Sequence, residues 1–237
     1  MTGGERRRST TQRPYWSERS WILSVAFLGG MVLLAGVLWL ARSAGGPAAD
    51  PVARTAVGQV AQCRPGPVVA SGPAVPPDDV TWRTLDGGDR VPVSAAQGPS
   101  RTADGALSCF AQTPIGAVLA AHAVPTQLAG PNWRAVADRQ VLPGPGRDVL
   151  VARLDAASGT VTSRGGGSYA GFAVVRYSVE AARVQLLVKT GAGGYVATLV
   201  DLRWDGGDWK VAPSRAGAVY ASIGAVTGSA GYTLWRK

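Results

Sequence analysis

The residue best suited to acid–base chemistry is His122, the single histidine of this 237-residue chain. Histidine titrates near neutral pH, so one that faces a pocket beside a carboxylate can accept or donate a proton. In the sequence, no Ser/His/acid trio and no Cys/His/Asp/Glu cluster with metal-ligand spacing accompanies it. Two interpretations stay open: a buried, hydrogen-bonded structural histidine, or one that lines a small-ligand cavity. We predict no catalytic, metal-binding or cofactor-binding residue, and a protein that is not an enzyme.

Cys63 and Cys109 are the only cysteines of the chain. If both lie outside the cytoplasm, they are placed where disulfides persist. We favour a disulfide, which in the loop-entropy description would constrain a segment of about 46 residues and contribute on the order of 4 kcal/mol. Two buried free thiols are the alternative.

Two short acidic motifs, residues 86–89 and 205–208, both read Asp-Gly-Gly-Asp. Each is too short to supply the oxygen ligands that a calcium ion requires. Glycine readily adopts the positive φ angles of tight turns. Both motifs are therefore predicted to be hairpin turns.

Residues 21–40 contain no charged side chain. A helix of that length spans roughly 30 Å, the thickness of the hydrocarbon core of a bilayer. Residues 1–20 form a basic tail with five arginines and two glutamates, and such tails stay in the cytoplasm. We expect one transmembrane helix in the cell membrane, a cytoplasmic N-terminus and an extracytoplasmic C-terminal domain. A cleaved secretory signal is the alternative, although its apolar core is usually shorter.

Small residues recur within this apolar segment. Ala26 and Gly30 lie four positions apart, and Gly29 and Gly36 lie seven apart. Such spacing lets a second helix approach closely. The stripe is either a contact between membrane helices, including those of a second copy, or the ordinary glycine content of such helices.

Residues 41–75 are rich in Gly, Pro and Ala without a clear period, which is typical of a stalk. Residues 76–237 are expected to form one extracytoplasmic domain. The formal net charge of the chain is +9, but the domain has no dense Lys/Arg run interleaved with aromatic residues. We therefore expect no direct contact with nucleic acid.

The domain is predicted to begin with helices. Thr113 and Pro114 are good N-cap and first-turn residues, and Pro125 should end that helix. Two shorter helices are predicted, one opened by Pro131 and one around Leu150.

The C-terminal half has the period of β-strands. Apolar residues alternate in four segments, around residues 173–177, 184–188, 196–202 and 209–211. The short turns between them favour an antiparallel meander. The expected fold class is α+β, with three helices against a curved four-stranded antiparallel sheet.

This order of elements, with a hairpin between Trp204 and Trp209 at the end of the sheet, resembles the NTF2-like fold, a cone in which helices pack into the concave side of the sheet. Together with one membrane helix, the layout is similar to that of the inner-membrane assembly factors of type IV secretion and conjugation systems. The resemblance implies a scaffold that acts through contacts between copies and with other subunits.

A closer resemblance covers roughly residues 80–237. The residues that carry it include Trp82, residues 91–94, residues 109–121 and Trp235. They resemble an uncharacterised family of membrane-anchored proteins from high-GC Gram-positive bacteria, often associated with integrative conjugative elements. Its members often have a histidine where this chain has Gln112.

We therefore expect a single-pass membrane scaffold of a conjugative or type IV secretion-like transfer apparatus. Its expected partners are the lipid bilayer, other membrane or transfer-system proteins and further copies of itself. Tyr232 and Trp235, in a segment of small residues, are candidate protein contacts. The alternative is a membrane-anchored small-ligand binder or enzyme that uses the interior of the cone beside His122.

Overall fold

The computed structural model describes residues 63, 68–72, 74–157 and 167–236, all within one compact unit that spans residues 59–237. The described residues form three helices, α1 (Pro114–Leu128), α2 (Trp133–Gln140) and α3 (Pro145–Ala157). They also form ten strands: β1 (Thr81–Thr84), β2 (Arg90–Val93), β3 (Arg101–Ala103), β4 (Ala106–Ser108), β5 (Ser168–Tyr177), β6 (Ala181–Lys189), β7 (Tyr195–Asp205), β8 (Asp208–Val211), β9 (Tyr220–Val226) and β10 (Thr233–Leu234).

Six strands form one antiparallel sheet in the order β10-β5-β6-β7-β8, and β9 also pairs with β7. β6 and β7 are the centre, paired without interruption from Ala181↔Arg203 to Lys189↔Tyr195. β8 and β9 follow one another along the same edge of β7. The pairs β1–β2 and β3–β4 are separate two-stranded sheets.

Helix α1 is the central element of the core. Its N-cap is Thr113, whose Oγ1 accepts a hydrogen bond from Gly116 N at 3.0 Å. Every residue of α1 except Thr126 is buried. The helix is thus buried on all sides, as expected of one that packs between a sheet and other elements.

The expectation that Pro125 ends this helix is wrong. Pro125 is buried within α1, which continues to Leu128. Two side chains of the last turn bond back to carbonyl groups of the helix: Thr126 Oγ1 donates to His122 O, and Gln127 Nε2 donates to Ala123 O. The proline removes one backbone donor. Burial of the last turn and these two hydrogen bonds stabilise the helix beyond the proline.

The sheet contributes its inward-facing residues to the same core. Ala182, Val184 and Leu186 of β6 are buried, as are Val200 and Leu202 of β7. Because successive side chains of a strand point to opposite faces, the residues between them are directed away from the helices. Arg183 and Arg203 are accordingly exposed.

The predicted four-stranded sheet, and with it the four-stranded NTF2-like cone, is wrong. The sheet has six strands, because β9 and β10 pair with β7 and β5. These two strands lack the alternation of large apolar and polar residues that identified the others. β9 reads YASIGAV, and β10 has only two residues.

The predicted fold class also included a transmembrane helix, and this part requires correction. None of the helices in the described part of the chain is long and apolar enough to cross a membrane. Residues 21–40, on which the expectation rested, lie outside the described residues. Ala26, Gly29, Gly30 and Gly36 lie there with them.

Candidate functional site

His122 lies in the middle of α1 and has no solvent exposure. Its Nδ1 is 2.8 Å from Val118 O, one turn earlier in the helix. Its Nε2 accepts a hydrogen bond from Trp235 Nε1 at 3.2 Å. A carbonyl oxygen only accepts and an indole N–H only donates, so the imidazole carries its proton on Nδ1.

Burial lowers the pKa of His122 to about 4, against the opposing effect of the hydrogen bond with Val118. At neutral pH the imidazole is therefore uncharged. Both of its nitrogen atoms are engaged with protein groups. The residue has the geometry of a structural histidine rather than that of a proton carrier open to a substrate.

Three aromatic rings surround the imidazole. The ring centroids of Tyr169, Trp235 and Phe172 lie 4.5, 5.2 and 6.4 Å from that of His122, all in edge-to-face geometry. Phe172 and Trp235 also contact each other, with centroids 4.8 Å apart. The space beside His122 is thus filled by protein side chains.

Tyr169 closes this cluster on the side of Thr126. The Thr126 hydroxyl donates to His122 O at 2.7 Å, so the Tyr169 hydroxyl is the donor in their 2.8 Å contact. Burial raises the pKa of Tyr169. Like His122, this side chain is kept neutral and used for packing.

Asp208 is a buried carboxylate, with 6% exposure. Its Oδ2 accepts from Cys109 N at 2.6 Å and from Gln140 Nε2 at 2.8 Å. Its Oδ1 accepts from Phe110 N and Trp209 N, both at 2.9 Å. We refer to these four bonds as the Asp208 clamp.

The clamp opposes the cost of burying a carboxylate without cancelling it. Burial raises the pKa of Asp208, and the four hydrogen bonds act in the opposite direction. Gln140 uses its amide group to donate to Leu107 O as well as to Asp208. Its Oε1 is left without a hydrogen-bond partner in the described part of the structure.

Cys63 and Cys109 form a disulfide bond beside the clamp, with a Cα–Cα distance of 5.2 Å. The two sulfur atoms and a carboxylate oxygen of Asp208 lie within 4.8 Å of one another. Metal ligation by cysteine requires the thiolate, which a disulfide does not provide. The carboxylate is also occupied by its four donors, so this group fits a structural role better than a metal site.

Two surface grooves lie on the described part of the domain. The first has a volume of about 290 Å³ and lies between the β1–β2 turn, the β3–β4 hairpin and the α1–α2 connection. It is crossed by hydrogen bonds from Asn132 Nδ2 to Asp86 Oδ2 and from Arg83 Nη1 to Thr102 Oγ1. The second, which we call the outer-face groove, has about 340 Å³ and crosses β5, β6 and β7. His122 lines neither.

Comparison with known proteins gives a family and no function. Residues 42–234 match DUF8175, a domain of unknown function. The chain belongs to the DUF8175 family. No curated protein matches the chain, and no solved structure does.

The predicted site residues of the DUF8175 domain fall in different places. His122 and Trp235 lie together in the interior, where Trp235 is 7% exposed. The Trp235 ring is thus not presented to a partner, whereas Tyr232 is half-buried in a turn near the C-terminus. The buried roles of Asp208 and Gln140 have no local signal in the sequence, because Asp208 bonds to Cys109, Phe110 and Gln140, all far away along the chain.

We expect Asp208→Asn to lower the free energy of unfolding by about 3 kcal/mol, because an amide NH₂ would face backbone donors in place of a carboxylate oxygen. The matched control is Asp205→Asn in the same turn. Asp205 pairs with Lys210 and is far more exposed, so its loss should cost at most about 1 kcal/mol. Urea unfolding of both variants is the measurement. Equal losses of unfolding free energy in the two variants would show that the Asp208 clamp does not stabilise the fold more than the surface pair does.

The pKa of His122 predicts a pH dependence of stability. The folded pKa of about 4 is below the ordinary 6.5, so the unfolded chain binds the proton first as the pH falls. Stability from this residue is complete above pH 6.5 and is lost between pH 6.5 and about 4, in total roughly 3 kcal/mol.

The test compares the wild type with His122→Gln, which keeps a donor and an acceptor but does not titrate. The difference between their unfolding free energies should shrink by roughly 3 kcal/mol from pH 7 to pH 4. Asp208, whose pKa is raised, contributes in the opposite direction in both proteins and cancels in the difference. A constant difference across this range would contradict the assignment.

Proposed function

We propose that this DUF8175 protein is a non-catalytic scaffold component whose extracytoplasmic domain acts through contacts with other proteins. The observation that carries the proposal is the state of two buried titratable groups of the described residues, His122 and Asp208. His122 is neutral and bonded at both nitrogens, and Asp208 is bonded to four donors. Neither is free to act on a substrate, which leaves the surface as the part of the domain that can carry function.

The disulfide supports a location outside the cytoplasm. Cys63 is linked to Cys109, close to the start of the central helix α1. Disulfides of this kind persist in oxidising compartments and are rare in the cytosol. We therefore place the domain at the outer side of the cell membrane.

The setting we propose is a conjugative or type IV secretion-like transfer apparatus. It rests on the resemblance of the sequence to membrane-anchored proteins linked to conjugative elements. In that setting the partners are transfer-system proteins at the membrane and further copies of the chain.

The alternative, a small-ligand binder or enzyme that uses the interior, requires an open space beside His122. The aromatic rings of Tyr169, Phe172 and Trp235 pack around the imidazole, and neither groove reaches it. The geometry therefore favours the scaffold.

The disulfide gives the first prediction of this proposal. Alkylation of the native protein from intact cells without reductant should label neither cysteine, and alkylation after reduction should label both. The double variant Cys63→Ser/Cys109→Ser should lose on the order of 4 kcal/mol of unfolding free energy. Complete labelling without reductant would remove the argument for an oxidising compartment.

The scaffold role predicts specific partners. Cross-linking in cells, followed by mild solubilisation and affinity capture of the full chain, should recover proteins of the transfer apparatus. His122→Gln, assayed at neutral pH, should recover the same set, because the imidazole is not at the surface. Recovery of the chain alone as a monomer would overturn the proposal, and loss of partners in His122→Gln would favour the alternative.

A further inference from the structure

The outer-face groove lies on the side of the sheet that faces away from the helices. Arg183 of β6 is directly opposite Arg176 of β5 on one side and Asp201 of β7 on the other. Arg203 lies two residues beyond Asp201 on β7, so it projects from the same face. Three arginines and one aspartate therefore line one groove of about 340 Å³.

One of these arginines is already occupied. Arg183 binds Asp201 with two parallel hydrogen bonds, from Nε to Oδ1 at 2.7 Å and from Nη2 to Oδ2 at 2.9 Å. Arg176 and Arg203 form no ion pair with any residue that the structure describes. Both are exposed, so the groove carries two guanidinium groups available to an anion.

This arrangement is unfavourable for the isolated domain. Like charges directly opposite each other on neighbouring strands destabilise a sheet, and Arg176 stands opposite Arg183. Asp201 neutralises only one of the three positive charges. An anionic partner would relieve the repulsion that the fold itself leaves in place.

One wall of the groove is formed by residues 212–219, and backbone hydrogen bonds hold this wall in place. Ala212 N donates to Asp201 O at 2.8 Å, which ties the wall to β7. The next turn is closed by Ser214 N donating to Ala218 O and Gly217 N donating to Ser214 O. Gly217 packs so closely on α3 that a Cβ atom there would lie 2.7 Å from Leu150 N. The groove is therefore largely formed before any partner binds.

We propose that the outer-face groove binds an extended acidic segment of a partner protein. Carboxylate recognition is already present in the groove, since Asp201 is held by Arg183 in the bidentate geometry that suits carboxylates. The wall adds apolar contacts for a polypeptide through Pro213 and Val219. This inference rests on the proposed scaffold function and specifies the chemistry of one partner.

The experiment measures the binding of a fluorescent oligo-glutamate peptide to the purified full chain by anisotropy at low and high salt. Arg176→Ala/Arg203→Ala should weaken binding about tenfold, since exposed charge pairs each contribute a few-fold. The matched control, Arg90→Ala/Lys189→Ala, removes the same charge from exposed strand positions outside the groove and should change binding by less than about twofold.

A third variant distinguishes a binding site from a structural patch. Asp201→Asn removes the carboxylate that occupies Arg183, so a third guanidinium becomes available and the peptide should bind several-fold more tightly. A groove with only a structural role would show no gain. Urea unfolding of each variant confirms that it is folded.

The outcomes separate this inference from the scaffold proposal. The proposal that the groove binds an acidic segment would be overturned by equal weakening in the groove variant and in its control. Failure of the peptide to bind would overturn it as well. Stronger binding of inorganic polyphosphate than of the peptide would also overturn it, because the partner would then be a phosphate polymer. In each case the scaffold role stands if cross-linking still recovers transfer proteins, and it falls independently if the chain is recovered alone.

Discussion

The corner that leads into helix α1 depends on one buried carboxylate. Asp208 accepts the backbone N–H groups of Cys109 and Phe110, and the neighbouring Trp209 Nε1 donates to Ala111 O at 2.9 Å. Cys109 has a φ angle of +67°, a left-handed conformation that costs a non-glycine residue about 1 kcal/mol or more. The end of the β7–β8 hairpin thus holds a strained corner in place. The central helix, and through it the sheet that packs on it, takes its position from this corner.

The elements that could be predicted were those with local signals. Thr113 followed by Pro114 is a capping pattern that needs no tertiary information, and α1 begins there. The alternation that marks β5 to β8 is equally local, because one face of each strand is buried. Pro125 and β9 had no such signal. Pro125 is accommodated within α1 because the surrounding residues bury it. β9 forms because it pairs with β7, and no property of its own seven residues indicates that pairing.

The site residues divide in the same way. His122 could be placed on a helix, but its partner Trp235 is 113 positions away, and Asp208 is 99 positions from Cys109. The Asp-Gly-Gly-Asp motif at 205–208 correctly indicated a hairpin turn, but its two aspartates lie in different environments. Asp205 pairs with Lys210 near the surface, whereas Asp208 enters the core. Only the packing of the corner against β8 distinguishes them, and no local sequence rule contains that information.

The distribution of charge differs between the interior of the domain and the outer face of its sheet. In the interior of the described part of the domain, the titratable groups are either neutral, as His122 is, or surrounded by donors, as Asp208 is. Gln140 even leaves its own Oε1 without a partner while it donates to Asp208. On the outer face of the sheet the charges are not balanced. Arg176 and Arg203 lie beside a third arginine, with only one aspartate in the same groove. The fold gives its buried ionisable groups partners, but it leaves like charges side by side at the surface, where they contribute no stability to the isolated domain. In the proposed function, an acidic partner would supply the charge that balances them.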